Sequence, residues 1–149
     1  PKDYAQTAAL LALIQGAFSS MRGVIDPPSS ADRLTIGSLV EKIGNENLIL
    51  AEADGALVGC AFADARAGHL YLGKIAVAPG FQNKGIGRAL LVRAIELARD
   101  FRFPELRLET RIELAGNHRT FEAWGFVRIA ETAHPGFTRP TSVTYSLPV

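Results

Sequence analysis

The stretch Ile75-Ala-Val-Ala-Pro-Gly-Phe-Gln-Asn-Lys-Gly-Ile-Gly-Arg88 carries an apolar run into a loop of glycine, amide and basic residues, then directly into an amphipathic segment. Leu70 to Val77 predicts a buried strand that stops at Pro79-Gly80. Beyond the loop, Ile86, Leu90, Ala94, Leu97 and Phe101 predict one buried face of a helix, with Arg88, Arg93, Glu96 and Arg99 mostly outside it. A strand–loop–helix junction of this kind leaves backbone N–H groups unpaired at the positive end of the helix dipole, which suits an anion, most often a phosphate. Two nucleotide motifs fail on spacing. Gly80 and Gly85 have P-loop spacing, but Ile86 follows where Lys is required, and the third glycine of a dinucleotide fingerprint would fall on Leu90.

Outward from this junction, the expected order is two helices, three strands, a helix, a strand, a helix and two strands. Asp3 can cap a first helix reaching Phe18, with Leu10, Leu11, Leu13, Ile14 and Ala17 buried. Val24 to Arg33, with Pro27-Pro28-Ser29-Ser30, reads as a loop. Thr35 to Ile43 reads as a second helix with Ile36, Leu39, Val40 and Ile43 as its apolar stripe. Leu48 to Ala53 and Ala56 to Ala65 form a hairpin about Asp54-Gly55, and Ala67-Gly68 turns into the Leu70–Val77 strand. Gly73 marks either a bulge or a close backbone approach in that strand. Pro104 ends the third helix, and Glu105 to Arg111 is a strand with Leu106 and Leu108 inward. Gly116 to Trp124 is a short helix stopped by Gly125, and Phe126 to Ala133 and Ser142 to Leu147 close the chain.

Gln82-x-x-Gly85-x-Gly87 resembles motif A of the GNAT family, the GCN5-related N-acetyltransferases, and Phe121-Glu-Ala-Trp-Gly-Phe126 is similar to its motif B. The resemblance implies one domain over residues 1–149 with the α/β (α+β) GNAT acyl-CoA fold: a mixed, mostly antiparallel sheet with helices on both faces and two splayed central strands. Only an opening strand is unmatched. Because the chain starts at Pro1 instead of Met, native N-terminal sequence is expected to be missing.

The same resemblance implies acetyl-coenzyme A as co-substrate, no metal, and a small-molecule or peptide amine as acceptor. Its pantetheine arm would lie along Ile75, Ala76 and Val77. Its pyrophosphate would sit on the N–H groups of Gln82, Asn83, Lys84, Gly85, Ile86, Gly87 and Arg88, with Asn117 and Phe121 beside the arm. Asn117 is otherwise a helix cap. The Val77 N–H would donate to the oxyanion. An alkylamine of pKa near 10.4 costs roughly 4.6 kcal/mol to hold neutral at pH 7, so a base or desolvation is required. Phe121 stands where many relatives carry a proton-donating Tyr, which leaves a non-catalytic acyl-CoA-binding domain as the alternative. Glu109 is a candidate base, or else a carboxylate paired with Arg107 or Arg111. His134 and Tyr145, in the closing hairpin that borders the family's acceptor cleft, are further candidates. Tyr71 reads as core. Asp26 and Asp32 favour a cationic acceptor, whereas Arg139 favours one with a carboxylate.

Composition agrees with a single globular domain. At 149 residues it is expected to bury roughly 68–70% of its unfolded surface. A net charge of +1, with basic residues scattered, gives no footprint for nucleic acid. Cys60, the only cysteine, lies in an apolar run and reads as inert filling. No apolar stretch approaches the ~20 residues needed to span a bilayer. The expected location is therefore cytoplasmic, without a membrane partner, as a monomer or homodimer.

Overall fold

The computed structural model describes residues 6–149, so the Asp3 cap lies outside the described residues. Its elements are α1 (Thr7–Phe18), α2 (Ile36–Asn45), β1 (Asn47–Ala53), β2 (Ala56–Arg66), β3 (His69–Val77), α3 (Ile86–Asp100), β4 (Glu105–Arg111), α4 (Ala115–Ala123), β5 (Val127–Thr132) and β6 (Ser142–Pro148). They follow the expected order. Short 3-10 turns at Ser19–Met21 and Ser30–Arg33 interrupt the segment before α2, the second inside the stretch read as loop. Thr35 opens α2 with a reciprocal capping box to Ser38. Asp54 and Gly55 both take positive φ, 53° and 78°, as a type I′ hairpin turn requires.

The six strands form one sheet in the order β1-β2-β3-β4-β6-β5. Neighbours are antiparallel except β3 and β4, which run parallel. Strand β2 is buried on both faces, which explains its unbroken apolar run. Cys60 and Phe62 meet Leu10, Ile14 and Leu39 of α1 and α2, while Ala61 and Ala63 meet the α3 side. Gly59 lets α3 approach: a Cβ there would stand 2.9 Å from Ile86 Cγ2 and 3.3 Å from the Ala76 carbonyl oxygen. Among the described residues, no helix is long and apolar enough to cross a membrane.

Two helix faces differ from expectation. Ile36 and Val40 of α2 are exposed, and only Leu39 and Ile43 reach the core, because α2 meets its neighbours along a narrow seam. In α3 the buried stripe is Leu90, Leu91, Ala94 and Ala98, and Phe101 is 45% exposed, lying one residue past the helix end. The exit is made at Arg102, whose φ is +62°, ahead of Pro104.

The bulge anticipated near Gly73 governs the site. Pairing with β2 shifts between Cys60–Ala76 and Phe62–Gly73, placing an extra residue in β3. Lys74 occupies the bulge with φ +48°. Before it, Leu70 and Leu72 face the α3 core; after it, Ala76 faces the α1–α2 core while Ile75 and Val77 pack on the α3 side. The alternation of the strand is thereby inverted.

Candidate active site

Strands β3 and β4 pair only at Leu70–Leu106 and Tyr71–Arg107. From Leu72 onward the two strands part, although both continue, and the opened edge of β3 leads to the glycine loop. Gln82 folds back, its Nε2 donating to the Val77 carbonyl at 3.4 Å. Asn83 and Gly85 take positive φ, 61° and 83°, and Gly85 is the N-cap of α3. The Gly85 carbonyl accepts from Ala89 at 3.0 Å. The N–H groups of Ile86, Gly87 and Arg88 therefore lie in the first turn, which has no intrahelical acceptors. Gly85 is needed for its left-handed backbone, while a Cβ on Gly87 would stand 3.4 Å from Trp124 Cη2. Lys84 and Arg88 are exposed beside the loop.

A cavity of about 540 Å³ occupies the splay and the space beneath the segment before α2. Glu109, Tyr71, Lys74, Arg111, Asn117, Phe121 and His134 all line it, together with Pro27 to Ser30 and Arg33. Strand parity explains the membership. Leu106 and Leu108 are buried on the α3 face, so Arg107, Glu109 and Arg111 face the other way, the side to which Tyr71 also turns. Glu109 is not held by Arg107, which pairs with Glu105, nor by Arg111, which donates to the carbonyls of Pro27 and Pro28 at 2.6 and 3.0 Å. The Tyr71 hydroxyl is pushed up to about 12, by burial first and then by the Glu109 carboxylate. Tyr71 thus belongs to the cavity wall, not to the core.

The remaining candidates separate. His134 borders the cavity and turns its Nδ1 to the Thr141 hydroxyl, which also accepts from the His134 N–H at 2.9 Å. Tyr145 does not reach the cavity. It pairs with Leu108 across β4 and β6, so it shares that residue's face and is fully buried against α3 and α4. Its hydroxyl donates to Glu122 Oε2 at 2.7 Å, and its pKa is raised, chiefly by burial and then by that bond. One register step separates it from Thr144, which has the opposite orientation. Asn117 lies inside α4 instead of capping it, and its Nδ2 donates to Thr110 Oγ1 at 3.3 Å. Phe121 joins an aromatic cluster with Trp124, Phe126 and Tyr145. His118 Nδ1 faces the donor-only guanidinium of Arg128 at 3.2 Å, so its Nε2 carries the proton given to the Arg111 carbonyl at 3.0 Å.

Lys74 is the residue that motif spacing did not identify. The bulge turns its side chain to the cavity, where Nζ donates to Ser30 Oγ. Its pKa falls to about 8, through burial first and then through Lys42, Arg33 and Arg111. A lone lysine in an apolar central strand was the available signal. Asp26 and Asp32 are occupied by Arg139 and Arg22, at 3.3 and 3.2 Å, so the opposed acceptor hints from the sequence neutralise each other. Cys60 is fully buried and its thiol is pushed up to about 12 by burial, consistent with inert filling. Among the described residues, no group of three or more His, Cys, Asp or Glu could hold a metal ion.

A sheet splayed beside a glycine loop at a helix start defines an acyltransferase-like architecture, and comparison places it. The chain belongs to the acetyltransferase (GNAT) family, whose sequence model matches residues 11–126. It is 34% identical over 134 residues to mycothiol acetyltransferase of Geodermatophilus obscurus, covering 85% of this chain but only 39% of that protein. Its fold is similar to that of the ribosomal-protein-S18-alanine N-acetyltransferase of Escherichia coli, with TM-score 0.77 and 21% identity over 98% of this chain and 89% of the other. It is also similar to PaiA N-acetyltransferase of Thermoplasma acidophilum in complex with coenzyme A, with TM-score 0.78 and 17% identity over 93% and 91% of the two chains.

Proposed function

We propose that the protein transfers an acetyl group from acetyl-coenzyme A to a primary amine by direct attack within a ternary complex. The observation that carries this reading is the continuity of the β3–β4 splay with the glycine loop at the start of α3. The pantetheine arm would add to the free edge of β3 along Ile75, Ala76 and Val77. The pyrophosphate would take the N–H groups between Gln82 and Arg88, with Lys84 and Arg88 supplying charge. Coenzyme A in the PaiA neighbour is consistent with this donor.

On the acceptor side, Glu109 is the base in this reading, directly or through water. It faces the cavity and has no ion-pair partner among the described residues. The amine nitrogen attacks the thioester carbonyl carbon, a C–N bond forms, and the Val77 N–H donates to the oxyanion. The C–S bond then breaks, and the amine proton passes to Glu109. The thiolate is weakly basic and takes its proton from solvent or from Tyr71, so Phe121 need not abolish turnover.

Thermal unfolding with and without coenzyme A tests the donor site. Ligand at about 100 times its dissociation constant adds about 2.7 kcal/mol, and the absence of any shift would refute the reading. Free-thiol release with acetyl-coenzyme A and a broad amine panel tests the transfer. Binding without turnover across the panel would favour the non-catalytic domain that Phe121 suggests.

A further inference from the structure

We propose that the acceptor is an amine that also carries an anionic group, a carboxylate or a phosphate, received by Lys74 and Arg33 on the α2 side of the cavity. This inference rests on the acetyltransferase reading of the same site.

Four cationic side chains line the cavity, Arg33, Lys42, Lys74 and Arg111, against the single carboxylate of Glu109. Their partners differ. Lys42 is neutralised by Glu46 at 2.7 Å. Arg111 is oriented by two carbonyls, with Glu113 and Asp26 nearby. Arg33 has no ion-pair partner among the described residues, and Lys74 has only the hydroxyl of Ser30. The acids of the overlying loop cannot compensate them, because Asp26 and Asp32 are paired with Arg139 and Arg22.

A half-buried surface with this surplus of positive charge repels a simple ammonium ion and attracts an anion. The pKa of Lys74 is lowered by burial first, and Lys42, Arg33 and Arg111 push it the same way against the opposing carboxylate of Glu46. An acceptor bearing an anion would relieve the repulsion between Lys74 and Arg33. Its ammonium, lying in the same positive field, would lose its proton more readily, as attack on the thioester requires. The bulge makes this arrangement possible: without the inserted residue, the Lys74 side chain would follow Leu72 to the α3 face.

Paired acceptors that differ only in the anion provide the test: phenylalanine with phenethylamine, 4-aminobutyrate with butylamine, and O-phosphoethanolamine with ethanolamine. Turnover is read as thiol release at saturating acetyl-coenzyme A, and binding as thermal stabilisation of the coenzyme A complex. We expect the anionic member of at least one pair to be favoured about tenfold or more. The pair that responds identifies carboxylate or phosphate. Arg33→Gln and Lys74→Gln should each collapse that ratio towards unity, mainly through KM, and Arg33→Lys should restore part of it. The proposal is overturned if the amine without the anion is as good in every pair, if no anionic member turns over or stabilises the complex, or if the preference survives both glutamine variants. The coenzyme A shift itself separates the two levels. Its loss refutes the acetyltransferase reading, whereas its retention with no anion preference refutes only the acceptor assignment.

Discussion

The Tyr71 ring fills the space that a side chain on Gly73 would need, since a Cβ built there stands 3.3 Å from Tyr71 Cε2. This contact positions a hydroxyl beside Glu109 at the mouth of the β3–β4 splay. Gly73→Ala is expected to leave stability within about 1 kcal/mol, because the gain in backbone entropy offsets the displaced ring. It should nevertheless lower kcat several-fold. Thermal unfolding and steady-state kinetics measure the two effects, and unchanged kinetics would remove Tyr71 from the site.

Glu109→Gln preserves shape and removes the carboxylate. If Glu109 accepts the amine proton, kcat falls by about 10²–10⁴-fold. The acidic limb of the kcat/KM profile should disappear with it. Retention of both the rate and the limb would exclude Glu109 as base.

Lys74 sets a pH dependence of stability. Its folded pKa is about 8 against an ordinary 10.5. Between those values the unfolded chain binds more protons than the folded one, so stability rises with pH across that window. Below about pH 8 the full penalty of the charged, half-buried lysine is present. Lys74→Met should therefore stabilise the protein by about 1 kcal/mol at pH 7, after allowance for solvent screening, and the gain should fade near pH 10.5. Urea unfolding at both pH values measures it, and an equal gain at both would show that charge is not the cause.

Gly59 and Ile86 are coupled through a contact too short for an added methyl group, 2.9 Å from a built Cβ to Ile86 Cγ2. Gly59→Ala should cost about 1–3 kcal/mol through overpacking. Combined with Ile86→Ala, the total loss should fall short of the sum of the single losses, because the second change vacates the space. Strict additivity in a double-mutant cycle would mean that the Ala51 or Ala76 contacts dominate instead.

Tyr145→Phe removes a hydroxyl bonded to Glu122 in the α3–α4 packing. A loss of about 1 kcal/mol in stability is expected, with kcat/KM unchanged. A large kinetic defect in a stably folded variant would return Tyr145 to the chemistry.

What the amino-acid sequence determined by itself was local. The glycine spacing from Gln82 to Gly87, the Asp54-Gly55 turn, the Leu106–Leu108 alternation and the Gly125 stop each depend on backbone conformation or periodicity within a few residues. Their order along the chain identified the family. The acceptor side depended on what lies opposite in space. A bulge inverted the facing of β3 and brought Lys74 to Ser30, and one step of strand register sent Tyr145 into the core while Glu109 faced the cavity. Asp26 and Arg139, 113 residues apart, neutralise each other across the fold. Local rules reach a few residues along the chain, but charge balance and register are set by tertiary contacts. The donor loop was therefore legible in sequence, whereas the charge of the acceptor cavity was not.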